Sequence, residues 1–150
     1  MPDVIPAAHR SDRFLLAVSF ACFAVAGVST GPVDALVPTL GATALAIAGV
    51  YSLARYADVV SRRTLALSAL GYWLAFLAIA GLHGIGLETL GAVVYGPSDA
   101  IVLAIAAVTW ATLLSACGTT AFLGFREYGS RAGTDVPEEQ ILDGETPSDY

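Results

Sequence analysis

The chain has 150 residues, of which 56% are hydrophobic and 13% are charged, and its formal net charge is −6. Soluble domains carry about 25% charged residues, so the composition excludes an ordinary soluble domain as the main part of this chain. All 7 basic residues are arginines, which are too few and too close to the predicted helix ends for a nucleic-acid partner.

Four long stretches contain no Asp, Glu, Lys or Arg: residues 14–33, 35–54, 64–87 and 100–125. A helix needs about 20 mainly apolar residues to cross the hydrocarbon core of a bilayer. The sequence therefore predicts an all-α, polytopic membrane protein, folded as an antiparallel four-helix transmembrane bundle. We expect a transmembrane domain at residues 14–128, with helices at about 14–30, 33–54, 64–83 and 98–125.

The first hydrophobic stretch follows a polar segment, residues 1–13, that we expect to be cytoplasmic. This stretch also has features of a signal peptide, because Arg10 and Arg13 precede it and residues 24–26 mimic a cleavage site. We expect a retained helix, since the second hydrophobic stretch follows at once and completes a hairpin. Cleavage is the alternative and would leave three helices.

The second and fourth helices begin with the same turn. Gly-Pro-x-Asp-Ala occurs at residues 31–35 and again at residues 96–100. The repeat is explained either by a duplicated helical hairpin, which would be a parallel internal repeat, or by favourable helix-start chemistry used twice. Both explanations stay open.

A polar stretch at residues 55–63 is predicted to form a cytoplasmic loop between the second and third helices. Tyr51 precedes this stretch and Tyr56 lies within it, and tyrosine prefers the membrane–water interface. With the N-terminus inside, every arginine falls on the cytoplasmic side, as the positive-inside rule requires. We therefore expect a multi-pass cell-membrane protein with both termini cytoplasmic, its topology determined by Arg10, Arg13, Arg55, Arg62, Arg63, Arg126 and Arg131.

The opposite, outer side carries Asp34, Glu88 and Asp99. Carboxylate oxygens are suitable ligands for a cation, so these three residues are a candidate cation site. The helix-start positions of Asp34 and Asp99 offer a structural explanation instead. The sequence otherwise shows no nucleophile–base pair, CxxC motif or histidine pair, and we expect no enzymatic activity, catalytic residue, cofactor or resident metal.

Two tryptophans lie toward the middle of their predicted helices rather than at the interface. An indole N–H at that depth needs an acceptor, which a Thr or Ser hydroxyl could supply. The aromatic residues predict either core packing or a groove for an apolar ligand or a partner between the third and fourth helices, formed by Tyr72, Trp73, Phe76 and Trp110.

Small and hydroxyl residues recur at helical spacing. Thr112, Ser115 and Thr119 share one face of the fourth helix, and Ala44 and Ala48 share a face of the second. Such faces allow helices in a membrane to approach closely and to hydrogen-bond across the contact.

The C-terminal segment, residues 129–150, is acidic and is predicted to be a disordered cytoplasmic tail. Together, the acidic composition and the lack of lysine indicate a halophilic prokaryotic source.

These features favour a non-enzymatic accessory or scaffolding subunit, which associates with itself or with a larger membrane complex through its small-residue faces. One alternative is a small oligomeric transporter or channel without intramembrane charges. Another is a binder of a lipid, quinone or other apolar ligand between the third and fourth helices.

Overall fold

A computed structural model describes the backbone of residues 5–29, 36–85 and 98–132, and the side chains of residues 11–29, 36–84 and 99–130. These ranges contain four α-helices and no strand: α1 (Ile5–Val28), α2 (Leu36–Val59), α3 (Arg62–Ile85) and α4 (Ser98–Ala132). All four helices are long and apolar enough to cross a membrane. The predicted all-α class and the four potential transmembrane helices are therefore confirmed.

The helices extend beyond the polar residues that were expected to limit them. Helix α1 begins at Ile5, inside the predicted N-terminal segment, and α2 continues through residues 55–58 to Val59. Only Val60 and Ser61 connect α2 to α3, in place of the nine-residue loop expected at 55–63. Helix α4 continues to Ala132, into the predicted tail, whereas residues 133–150 and the turns at 31–35 and 96–97 lie outside the described residues.

The helix lengths suit a bilayer. Helices α1, α2 and α3 have 24 residues each, which corresponds to about 36 Å at the α-helical rise. Helix α4 has 35 residues, or about 52 Å, and exceeds a hydrocarbon core of about 30 Å. Pro38 is tolerated in α2 because it occupies the first turn, where backbone N–H groups have no intrahelical acceptor.

Helix α4 is the centre of the packing. It contacts α1, α3 and, less extensively, α2, whereas α1 also packs closely against α2. Within the described ranges α1 and α3 have no extended interface, although the rings of Phe20 and Tyr72 stack with centroids 6.2 Å apart. An open space therefore remains between α3 and α1.

The core surrounds the middle of α4. Apolar side chains from all four helices are buried there together with several hydroxyl groups. The largest fully buried side chains are Phe23 of α1, Leu53 of α2 and Leu65 of α3. On α4 the buried residues are small: Ala111, Thr112, Ser115, Ala116 and Thr119.

Gly49 allows α1 and α2 to approach closely. A Cβ atom at this position would lie 2.6 Å from the ring of Phe23. Ser19, one turn away from Phe23 on α1, donates a hydrogen bond of 2.9 Å to the carbonyl oxygen of Gly49. The contact between the two helices thus depends on the lack of a side chain at residue 49.

The hydroxyl face of α4 packs as expected but bonds differently. Thr112 and Thr119 are buried, yet their hydroxyls donate to carbonyl oxygens of α4 itself, namely those of Val108 and Ser115 at 2.8 and 2.7 Å. The expectation of bonds across the helix contact therefore does not hold for these two residues. Their own helix satisfies the hydroxyls, which makes the face effectively apolar.

The outer surface is apolar over most of its length. Exposed leucines line α3. The apolar side chains in the first turns of α2 are also exposed, and Val37 is 81% exposed. A contiguous exposed apolar surface of this extent is rare in soluble monomers. The exposed apolar residues of these two helices include Leu36, Val37, Leu40, Ile47, Val50, Leu67, Leu70, Leu74 and Leu77.

Substitution of Gly49 by Ala should destabilise the bundle. The new methyl group would overlap the Phe23 ring, and overpacking of this kind costs about 1–3 kcal/mol. The free energy of unfolding, measured in detergent micelles, should fall by that amount. Gly71→Ala is the matched control, because a Cβ at Gly71 of α3 meets no atom within 4 Å and alanine favours a helix by about 0.5–1 kcal/mol over glycine. Equal effects of the two substitutions would contradict this account of the contact between α1 and α2.

Candidate functional site

Apart from Asp99, the charged side chains of the described residues gather where α2 turns into α3, and we call this end of the bundle the arginine end. Ser61 caps α3 there: its hydroxyl accepts the backbone N–H of Thr64 at 3.2 Å and lies 2.8 Å from the Thr64 hydroxyl. Serine is a preferred residue at this position because its oxygen satisfies a free N–H group of the first turn. The cap stabilises the start of α3 directly after the two-residue connection.

Arg126 of α4 closes the end of α2. Its Nη1 atom donates to the carbonyl oxygens of Ala57 and Val60, each at 3.0 Å. The last carbonyls of a helix have no intrahelical donor, and a positive charge is favourable beside them. One side chain thus links α4 to the final turn of α2.

A second ionic contact joins α3 to α4. Arg62 and Glu127 form a salt bridge, with 61% and 36% of their side-chain surfaces exposed. Pairs this exposed contribute about 0–1 kcal/mol. Its main effect is to neutralise Glu127 at this end of the bundle.

A groove lies between α3 and α4 at the arginine end, and we call it the α3–α4 groove. Its volume is about 770 Å³. Ala66 and Gly124 are the smallest residues of its lining, and a Cβ at Gly124 would meet nothing within 4 Å. The complete lining is Arg62, Arg63, Ala66, Thr120, Leu123, Gly124 and Glu127.

A cleft lies on the other side of α3, facing α1, and we call it the α1–α3 cleft. Its volume is about 530 Å³. Its walls are mainly apolar and aromatic, and Asp12 and Arg13 are the two charged residues of its lining. The stacked rings of Phe20 and Tyr72 belong to its wall, together with the ring of Tyr56.

Tyr56, which the sequence predicted to suit the membrane–water interface, has its side chain buried against neighbouring helices. It is only 5% exposed, and its hydroxyl lies 3.0 Å from that of Ser68. Because α2 stays helical through Val59, Tyr56 faces inward with its neighbours one turn away. The buried set Leu53, Tyr56, Ala57 and Val60 has the i, i+3, i+4, i+7 spacing of a packed helix face, a signal present in the sequence.

The predicted aromatic groove is divided between different neighbours. Trp73 donates its indole N–H to the Thr120 hydroxyl at 3.1 Å, which confirms that a hydroxyl serves as its acceptor. Trp110 instead packs beside Gly27 of α1. A Cβ atom added at Gly27 would lie 2.3 Å from the Cβ atom of Trp110. Ten residues of α4 separate Trp110 from Thr120, which is about 15 Å along the axis.

The other aromatic residues of that set follow the same division. Tyr72 faces α1 through Phe20, whereas Phe76 contacts Trp73 edge to face with centroids 6.1 Å apart. The structure thus brings Trp73 and Phe76 together, and places Tyr72 and Trp110 against α1.

The candidate cation site extends outside the described residues, which do not include Asp34 or Glu88. Asp99 lies in the first turn of α4, where a negative charge interacts favourably with the positive end of the helix dipole. Residues 5–29, 36–85 and 98–132 hold no group of three His, Cys, Asp or Glu side chains that could bind a metal ion.

Five of the predicted topology determinants lie at the arginine end. Arg13 lines the α1–α3 cleft there with Val60 and Thr64. The others are Arg55, Arg62, Arg63 and Arg126, and the side chains of Arg10 and Arg131 lie outside the described residues.

Comparison with models of protein families, with curated proteins and with solved structures gave no match.

Replacing Arg126 by Leu should loosen the end of α2. We expect a loss of about 1.5 kcal/mol, at the low end for hydrogen bonds to charged groups, because water can partly replace an exposed guanidinium. Backbone amides of residues 57–61 should exchange faster with deuterium, as measured by mass spectrometry.

The control for this test is Arg63→Leu, which removes the same charge at the same end of the bundle. Arg63 lines the α3–α4 groove instead of binding the end of α2. Its exchange rates at residues 57–61 should match those of the unmodified chain. Equal rates in both variants would refute the capping role of Arg126.

Proposed function

We propose that this chain is a non-enzymatic accessory or scaffolding subunit of the cell membrane. Its four helices, each apolar and long enough to cross a membrane, would form an antiparallel bundle with both termini in the cytoplasm. Its partners would be the bilayer and either a second copy or a larger membrane complex, and not a nucleic acid. The exposed small-residue face of α2 is the observation that carries the subunit role.

The contacts between helices support the antiparallel arrangement. Residue 19 of α1 meets residue 49 of α2, whereas Arg13 shares a cleft with Val60. On the other pair, Arg62 meets Glu127 and Trp73 meets Thr120. In both pairs the residue numbers rise along one helix as they fall along the other.

The distribution of arginines supports the cytoplasmic position of the arginine end. Short cytoplasmic connections carry an excess of Arg and Lys, and five arginines lie at this end of the bundle. The opposite helix ends contribute Asp99 but no arginine within the described residues.

The small-residue face of α2 points away from the bundle. Gly41, Ala44 and Ala48 are exposed at the i, i+3, i+7 spacing of one helix face, and a Cβ at Gly41 meets no atom. Helices in a membrane associate through such faces because small residues let the backbones approach. The small hydroxyl-bearing face of α4 is already used inside the bundle, whereas the small-residue face of α2 stays available for close packing with a partner.

A second candidate function is the binding of an apolar ligand such as a quinone or lipid. The α1–α3 cleft favours it, since its volume of about 530 Å³ lies within the common range for ligand sites, about 300–1,000 Å³. The channel alternative has less support, because Thr112, Ser115 and Thr119 are buried within one chain and cannot line a path between copies.

Cysteine labelling should reveal the orientation. In a chain with Cys22→Ser and Cys117→Ser, a membrane-impermeant maleimide added to intact cells should label Gly84→Cys and not Asp58→Cys. Both target residues are exposed and lie near opposite ends of the bundle. Asp58 is preferable to Ser61, which caps α3. Labelling of Asp58→Cys alone would show the reverse orientation.

Affinity purification in mild detergent should test the subunit role. We expect a stoichiometric partner, or a homo-oligomer, whose recovery falls about tenfold in the double variant Ala44→Leu, Ala48→Leu, because added volume separates the packed helices. Ala78→Leu, at an exposed position of α3, should leave recovery unchanged. A purely monomeric protein without a partner would contradict this proposal.

A further inference from the structure

We propose that the α3–α4 groove binds an anionic phospholipid, with Arg63 contacting the phosphate and the apolar wall contacting the upper part of an acyl chain. This inference rests on the proposed membrane position of the arginine end. It is independent of the proposed subunit role and of the α1–α3 cleft.

The groove changes from charged to apolar along its length. Its charged residues, Arg62, Arg63 and Glu127, come from the first turn of α3 and the last third of α4. Thr120 lies seven residues before Glu127, or about 10 Å deeper along α4. A ligand that fills the groove therefore needs an anionic group at one end and an apolar part at the other.

The charge balance favours an anion. Glu127 is neutralised by its salt bridge with Arg62, and Arg63 then supplies the net positive charge of the lining. A guanidinium group suits a phosphate because its N–H donors form paired, charge-assisted hydrogen bonds. Arg126 cannot play this part, since it donates to the carbonyl oxygens of Ala57 and Val60.

The position of the groove favours a lipid over a free anion. The spans of membrane-crossing length, Arg62–Gly84 and Asp99–Ser130, include both walls of the groove. Basic pockets between transmembrane helices on the cytoplasmic side are typical headgroup sites. A free phosphate would use only the charged end and would leave the wall formed by Ala66, Leu123 and Gly124 uncovered.

Small side chains keep the groove open. Ala66 and Gly124 leave room for an acyl chain between α3 and α4, and a Cβ at Gly124 contacts nothing. Trp73 marks the deep end, because its indole N–H donates to the Thr120 hydroxyl at 3.1 Å. A chain in the groove would thus come close to one of the two tryptophans of the protein.

This geometry allows a direct test by fluorescence. In the Trp110→Phe variant, Trp73 is the remaining tryptophan, and bromine atoms on a nearby acyl chain quench its emission. The full-length protein is reconstituted into phosphatidylcholine vesicles that contain a minority of phosphatidylglycerol. Bromines placed half-way along the chains are carried either by the phosphatidylglycerol or by an equal amount of the phosphatidylcholine.

We expect the site to prefer phosphatidylglycerol about fivefold, as for one arginine near an anionic headgroup. Arg63→Gln should reduce the preference to about one, whereas Arg55→Gln, an exposed arginine outside the groove, should leave it unchanged. Gly124→Leu should also abolish it by filling the groove, and Gly129→Leu, where a Cβ is equally free, should not.

Equal quenching by the two lipids in the chain with Arg63 intact would overturn the proposal. A preference that survives both Arg63→Gln and Gly124→Leu would place the lipid elsewhere and refute this site. Circular dichroism and labelling of Asp58→Cys verify the fold and orientation of each variant. Failure of the lipid site is therefore distinguishable from a wrong orientation, which the labelling alone reveals.

Discussion

The small, buried face of α4 is the constraint on which the bundle depends. Ala111, Ser115 and Thr119 are at most 1% exposed, and residues of this size let one helix contact three others. Larger side chains on that face would separate the helices. The threonine hydroxyls do not oppose this burial, because carbonyl oxygens of α4 accept their hydrogen bonds. Among the described side chains, the Ser115 hydroxyl is the buried polar group without a partner.

The two grooves beside α3 follow from the same arrangement. Helix α3 packs mainly on α4 and touches α1 through the Phe20–Tyr72 stack. Space therefore stays open along both sides of α3, toward α1 and toward the part of α4 that lies at the arginine end. Both proposed binding surfaces thus result from the way α3 packs on α4. Small residues such as Ala66 and Gly124 leave additional space in the α3–α4 groove.

The arginine end combines structural and electrostatic roles. Arg126 and Ser61 satisfy free backbone groups of α2 and α3, which makes a tight connection possible. Arg62 neutralises Glu127, and Arg63 keeps its charge at the edge of a groove. The same positive charges would both favour a cytoplasmic position for this end and attract an anionic headgroup, so the two proposals depend on one set of side chains.

Length and apolarity in the sequence determined four helices of membrane-crossing length, and the spacing of Thr112, Ser115 and Thr119 determined which face of α4 would pack. The spacing of Leu53, Tyr56 and Val60 also carried a signal for the inward side of α2. Tertiary structure alone decided that Trp73 and Trp110 face different helices. The physical reason is that a bilayer and a protein interior are both apolar. A helix that is apolar on all sides carries little periodic signal of its neighbours, so only the packing of the folded chain reveals which side meets protein and which remains free.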